Sequence, residues 1–109
     1  MATTSRTRIC ELDEVQPGEV IPATVKDMPP LAVYRLEDGS VHVTDAICSH
    51  GNANLAEGYL EGDEIECPFH AGRFCVRTGE PKAFPVSEPI KSYRVSIVEG
   101  AVWIEGGEE

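Results

Sequence analysis

Apolar and polar residues alternate with a period near two along most of this chain, and no window of a dozen residues carries a convincing 3.6-residue period. Alternation of that kind sends successive side chains to opposite faces of a strand, so short strands are the expected building block. Thr7–Glu11, Val20–Val25, Leu31–Leu36 and Ser40–Asp45 read as the first of them. Asp38-Gly39, between the last two, is a hairpin signal because glycine tolerates positive φ. Gly58–Glu61 and Asp63–Cys67 flank Gly62, Arg73–Arg77 alternates, and Ser92–Val98 with Ala101–Glu105 reads as a terminal hairpin about Glu99-Gly100. Helix is limited to single turns at Leu12–Val15 and Asn54–Gly58, and 8 prolines and 10 glycines punctuate the rest. The expectation is one all-β antiparallel domain over residues 1–109, sandwich-like or barrel-like, with residues 1–6 as a frayed tail.

Charge removes whole classes of function. With 19 acidic against 9 basic side chains the formal net charge is −10, and nucleic-acid binding is excluded because phosphates need a basic face. The same charge keeps a protein soluble and steers it towards basic partners. No apolar run approaches the roughly 20 residues of a membrane span, so no membrane role is expected. The opening MATTSRTR lacks both an apolar secretory core and a twin-arginine pair, which points to the cytoplasm. Cysteines there stay reduced, and paired Cys/His motifs are read as metal ligands before disulfides.

Two short stretches carry such motifs. Cys48-Ser49-His50-Gly51 follows the strand ending near Asp45, and Cys67-Pro68-Phe69-His70-Ala71-Gly72 follows the strand ending near Glu66. Sixteen residues separate His50 from Cys67, giving C-x-H-(x16)-C-x-x-H. Each stretch offers one thiolate and one imidazole beside the Gly or Pro of a tight turn. A tetrahedral zinc ion would accept the set, although C-x-H is closer than the usual zinc spacing. A [2Fe–2S] centre with both cysteines on one iron and both histidines on the other would accept it too, and the matching order suits a cluster straddling two loops.

From about Arg8 to Glu105 the chain resembles the Rieske family, and more closely the Rieske ferredoxins of bacterial aromatic-ring dioxygenase systems such as those for biphenyl, toluene and benzene. The resemblance is carried by C-S-H-G, G-Y-L-E-G-D-E-I-E-C, C-P-F-H and G-R-F-C-V-R-T-G. It implies a Rieske domain whose cluster-binding tip is made of two loops within about residues 46–75, and one [2Fe–2S] cluster per chain held by Cys48, His50, Cys67 and His70. The implied role is a soluble, monomeric one-electron carrier. It would take electrons from an NADH-dependent flavoprotein ferredoxin reductase and pass them to a terminal Rieske non-haem iron dioxygenase that attacks aromatic hydrocarbons. The carrier is not itself the enzyme. Two other readings stand beside it: a small subunit of a nitrite-reductase-type complex, and a zinc-stapled binding module without redox chemistry.

Two ferric ions, two sulfides and two thiolates sum to zero charge, so such a cluster accepts an electron more readily than one held by four thiolates. High-potential respiratory relatives place an extra cysteine in each loop and Ser and Tyr hydroxyls against the cluster sulfurs. This chain has Ala53 and Phe69 at the first places and Gly72 and Phe74 at the second. Fewer hydrogen bonds to sulfur imply a potential near the low end of the Rieske range, about −150 mV.

Cys10 and Cys75 fall in strand-like runs and are expected as small buried hydrophobes. His42 alternates with Val41 and Val43 and is expected to face solvent. Trp103, Tyr34, Tyr59, Tyr93, Phe69, Phe74 and Phe84 are expected as core or covering residues. Glu57, Glu61, Asp63, Glu64 and Glu66 form an acidic cluster that is either a docking surface or a solvated hairpin face.

Overall fold

A computed structural model describes residues 6–48, 53–68, 72–83 and 88–105. The strands run β1 (Arg6–Glu11), β2 (Glu19–Ala23), β3 (Leu31–Arg35), β4 (Val41–Asp45), β5 (Tyr59–Glu61), β6 (Glu64–Glu66), β7 (Arg73–Cys75), β8 (Pro81–Ala83), β9 (Ser92–Val98) and β10 (Ala101–Glu105). Single 3-10 turns occupy Leu12–Glu14 and Leu55–Glu57, where the sequence predicts helical turns. The short strand β8 has no alternation long enough to announce it.

The strands form a six-stranded sheet in the order β1-β10-β9-β4-β3-β2 and a four-stranded meander β5-β6-β7-β8. Every pairing between these strands is antiparallel. The predicted hairpins close as their chemistry requires. Gly39 takes φ +90° and its N–H donates to Leu36 O at 2.8 Å. Glu99 and Gly100 both have positive φ (51° and 80°), which matches the twist of the β9–β10 pair.

Two cores meet at β3. Leu31 and Val33 join Val43, Tyr93, Val102 and Ile104 inside the large sheet. Ala32 and Tyr34, from the opposite face of the same strand, join Leu36, Ile65, Phe74 and Val76 beneath the small sheet. A strand buried on both faces loses the polar half of its alternation, which explains the nearly unbroken apolar run Leu-Ala-Val-Tyr. Within this wall Tyr34 Oη lies 2.8 Å from Thr44 Oγ1, and Thr44 gives its own proton to Asp45 O at 2.8 Å, so Tyr34 is the donor. Burial pushes the Tyr34 phenol well above its ordinary range.

The doubled covering corrects the reading of His42. It shares a face of β4 with Thr44, on the side covered by the small sheet. It is half-buried, with Nε2 3.1 Å from Ser40 Oγ. Burial, helped by the charge of Arg77, holds the ring below the usual histidine range. Tyr59 departs the other way, at 64% exposure on edge strand β5. Cys10 and Cys75 are buried as expected, and burial pushes the Cys10 thiol up. No helix among the described residues is long and apolar enough to cross a membrane.

Candidate metal centre

The site begins with two chain reversals of equal size. In the first, Ile47 and Asn54 form an antiparallel bridge, and the Cys48 N–H donates to Ala53 O at 2.9 Å. In the second, Glu66 and Arg73 are paired across β6 and β7, and the Cys67 N–H donates to Gly72 O at 2.7 Å. Each cysteine therefore opens a six-residue loop, 48–53 or 67–72, and donates to the residue that ends it. The motif hides this equivalence, because its histidines fall third in one loop and fourth in the other. His50, His70 and Phe69 lie outside the described residues, as does Phe84.

Different elements hold the two stems. Before the first loop, Asp45 N–H donates to Lys91 O at 2.9 Å and Ala46 N–H to Pro30 O at 2.9 Å. After it, Leu55 N–H returns to Ala46 O at 2.7 Å, and Asn54 Oδ1 caps the Leu55–Glu57 turn by accepting from Ala56 N at 2.8 Å. Tyr93 reaches across from β9 and donates to Asp45 Oδ1 at 2.6 Å, while Lys91 Nζ sits 5.1 Å above its ring. Burial, with the Asp45 acceptor and its charge, pushes the Tyr93 phenol up. The second loop continues β6 and β7 directly.

The two stems are packed together at Gly58. A Cβ there would stand 2.1 Å from Glu66 O, so only glycine lets the chain leaving the first loop lie against the strand entering the second.

Cys48 and Cys67 are 3% and 1% exposed and belong to one apolar cluster with Ala53, Leu55, Ile65 and Phe74. Two sulfur donors at the same depth in an apolar wall, each opening a loop with one histidine, fit a soft-metal cluster. Ala53 and Phe74 bring only carbon to this wall, and Gly72 brings no side chain.

The Rieske [2Fe-2S] domain matches residues 5–94. The chain belongs to the Rieske [2Fe-2S] domain family. Among its relatives, the ferredoxin component of the naphthalene 1,2-dioxygenase system of Pseudomonas putida is 45% identical over 94 residues, covering 86% of this chain and 88% of that one. The solved Sphingomonas yanoikuyae B1 ferredoxin is 48% identical with a TM-score of 0.89, over 94% of this chain and 99% of that one. A ferredoxin chain solved in complex with the oxygenase of carbazole 1,9a-dioxygenase is 40% identical with a TM-score of 0.87, over 95% of this chain and 94% of that one. A nitrite reductase small subunit from Mycobacterium tuberculosis, at 20% identity and a TM-score of 0.82, shares the fold alone.

This Rieske ferredoxin is an electron carrier with a Rieske-type [2Fe–2S] cluster, and its relatives are ferredoxin components of dioxygenase systems, distinct from the catalytic component. Its acidic cluster is more neutralised than the sequence implies. Arg73 donates to Glu61 at 2.7 Å, Glu66 at 3.1 Å and Glu64 at 3.3 Å. Arg77 lies 3.3 Å from Asp63 and 3.5 Å from Asp38. Of the five acids, Glu57 alone has no ion pair among the described residues. Sequence reasoning missed both arginines, although period two in Arg73-Phe74-Cys75 puts Arg73 on the glutamate face, opposite the buried Phe74.

Proposed function

We propose that Cys48 and His50 in one loop and Cys67 and His70 in the other hold the cluster. We infer that the protein carries single electrons from an NADH-dependent flavoprotein reductase to a terminal Rieske dioxygenase acting on an aromatic hydrocarbon. The observation that carries the ligand reading is the pair of equal loops, each opened by a buried cysteine and each containing one histidine. The partner reading draws on the naphthalene-system relative and on the carbazole ferredoxin seen with its oxygenase. Held by those four residues, the cluster would supply one-electron redox chemistry at a potential above that of plant-type ferredoxins, because two imidazoles would replace two thiolates.

The chain's own residues divide the work. Cys48 and Cys67 anchor the buried side in low-dielectric surroundings, where water does not reach the sulfurs. His50 and His70 fall third and fourth of the six residues in their loops, and as ligands they would be the electron's route to the partner. Cys10 and Cys75, outside the proposed ligand set, are buried as small hydrophobes.

The deciding experiment measures iron, acid-labile sulfide and the reduced-state EPR spectrum of the wild type and of His50→Ala and His70→Ala. Nitrogen coupling in the wild type, lost with the cluster in each variant, is the expected result. Retention of an unchanged spectrum in either variant would overturn the ligand reading. With Gly72 and Phe74 offering no hydroxyl, redox titration should give about −150 mV, and a clearly positive value would refute that argument. Reduction by the reductase of the naphthalene system and oxidation by its oxygenase test the partners.

A further inference from the structure

We propose that Arg73 is a positioning residue for the second cluster-holding loop and the cation that keeps the cluster's potential from falling on an acidic face. The proposal rests on Cys67 being a ligand. Arg73 directly follows Gly72, whose carbonyl accepts the Cys67 N–H, and it stands opposite Glu66, the residue before Cys67. Its side chain therefore starts at the base of the loop.

From there the guanidinium spans three strands. It reaches Glu61 on β5 and both Glu64 and Glu66 on β6, with 29% of its own side chain exposed. Glu61 stands directly opposite Glu64, a like-charge cross-strand pair that would repel without a cation between them. A planar fork of donors answers several carboxylates at once, which a lysine ammonium cannot do with the same geometry. The equivalent pair at the first loop, Ile47 and Asn54, carries no charge. The asymmetry assigns Arg73 to the second loop.

One guanidinium against three carboxylates leaves this face at −2. Reduction adds a further negative charge at the ligand loops, and a nearby cation favours it. Neutralising Arg73 takes the face to −3 and opposes reduction. At a separation within about a Debye length this shifts the oxidised-to-reduced ratio roughly threefold, equal to about 28 mV at 59 mV per tenfold for one electron.

The test is the midpoint potential of the holoprotein, measured at low and high salt, with thermal unfolding alongside. Arg73→Gln should lower the potential by about threefold in the redox ratio, and added salt should shrink the shift. Arg73→Lys should unfold earlier than the wild type while keeping its potential within a fraction of that shift. Glu61→Gln, at an exposed position that leaves the fold intact, should move the potential upward by about 1.5-fold. A potential that stays at the wild-type value in Arg73→Gln and Glu61→Gln, with stability alone reduced, would make Arg73 a strand staple and overturn the proposal. If Arg73→Gln fails to fold, the sign of the Glu61→Gln shift decides. The wild-type spectrum, recorded first, reports separately on the ligand reading.

Discussion

The two cysteine loops match in length and in their closing hydrogen bond, and differ in what braces them. The first rises from an irregular stretch and is braced by neutral or singly charged contacts: the Ile47–Asn54 bridge, the Asn54 cap and the Tyr93–Asp45 bond. The second continues a β hairpin and is braced by one arginine among three glutamates. Equal frames can thus be built from local polar bonds or from a surface charge cluster. The first kind fails by losing single bonds, whereas the second responds to salt.

Gly58→Ala should break the comparison most severely, because it pushes the two stems apart at once. A methyl group 2.1 Å from Glu66 O cannot be accommodated without backbone movement. Denaturant unfolding should show a loss of about 3 kcal/mol, and the holoprotein should release iron faster. Stability equal to the wild type would mean that the stems move independently.

Tyr93→Phe should sharpen the comparison on the first loop alone. Removing a hydroxyl that serves a half-buried carboxylate should cost about 1.5 kcal/mol. Its pH dependence is diagnostic. The folded protein holds the Tyr93 proton more tightly than the unfolded chain, so its contribution is complete below the ordinary value of 10.0 and is lost as pH rises above it. Unfolding measured from pH 8 to 12 should show a shallower alkaline decline in the variant, with Tyr34 and Cys10 contributing to what remains. An unchanged alkaline slope would remove Tyr93 from the account.

Asn54→Ala should have the smallest effect, about 0.5–1 kcal/mol, as expected for a half-buried cap of a single turn. Spectra should not change, and salt should not alter the loss. A salt-dependent loss would blur the distinction between the two braces.

Much of this was legible in the sequence. Of the ten strands among the described residues the sequence located nine, most by alternation between an apolar and a polar face and β3 by its apolar run. The β9–β10 hairpin was predicted to the residue, since Glu99-Gly100 fixes its register. β8 was missed because the segment Pro81-Lys82-Ala83 is too short to show a period. His42 was assigned to solvent because alternation tells only that a strand has two faces. It cannot tell that a second sheet covers the other one. The cysteines were legible as motif members, but the equality of their loops was not, since it resides in backbone hydrogen bonds to Ala53 and Gly72. The pairing of the acids was illegible for a similar reason: Arg73 lies 7 to 12 positions from its partners, and only strand pairing brings them together.

The two-sided burial of β3 bears on portability. Ala32 and Tyr34 belong to the small sheet's core although the large sheet supplies them, and Leu36, directly after β3, joins them. A segment excised from 53 to 83 would leave behind the wall against which Phe74 and Ile65 pack, and would expose that wall on the remainder. The end bearing the two cysteine loops is therefore not a cassette to be transplanted by its motifs. Any host must bring its own equivalent of β3, apolar on both sides.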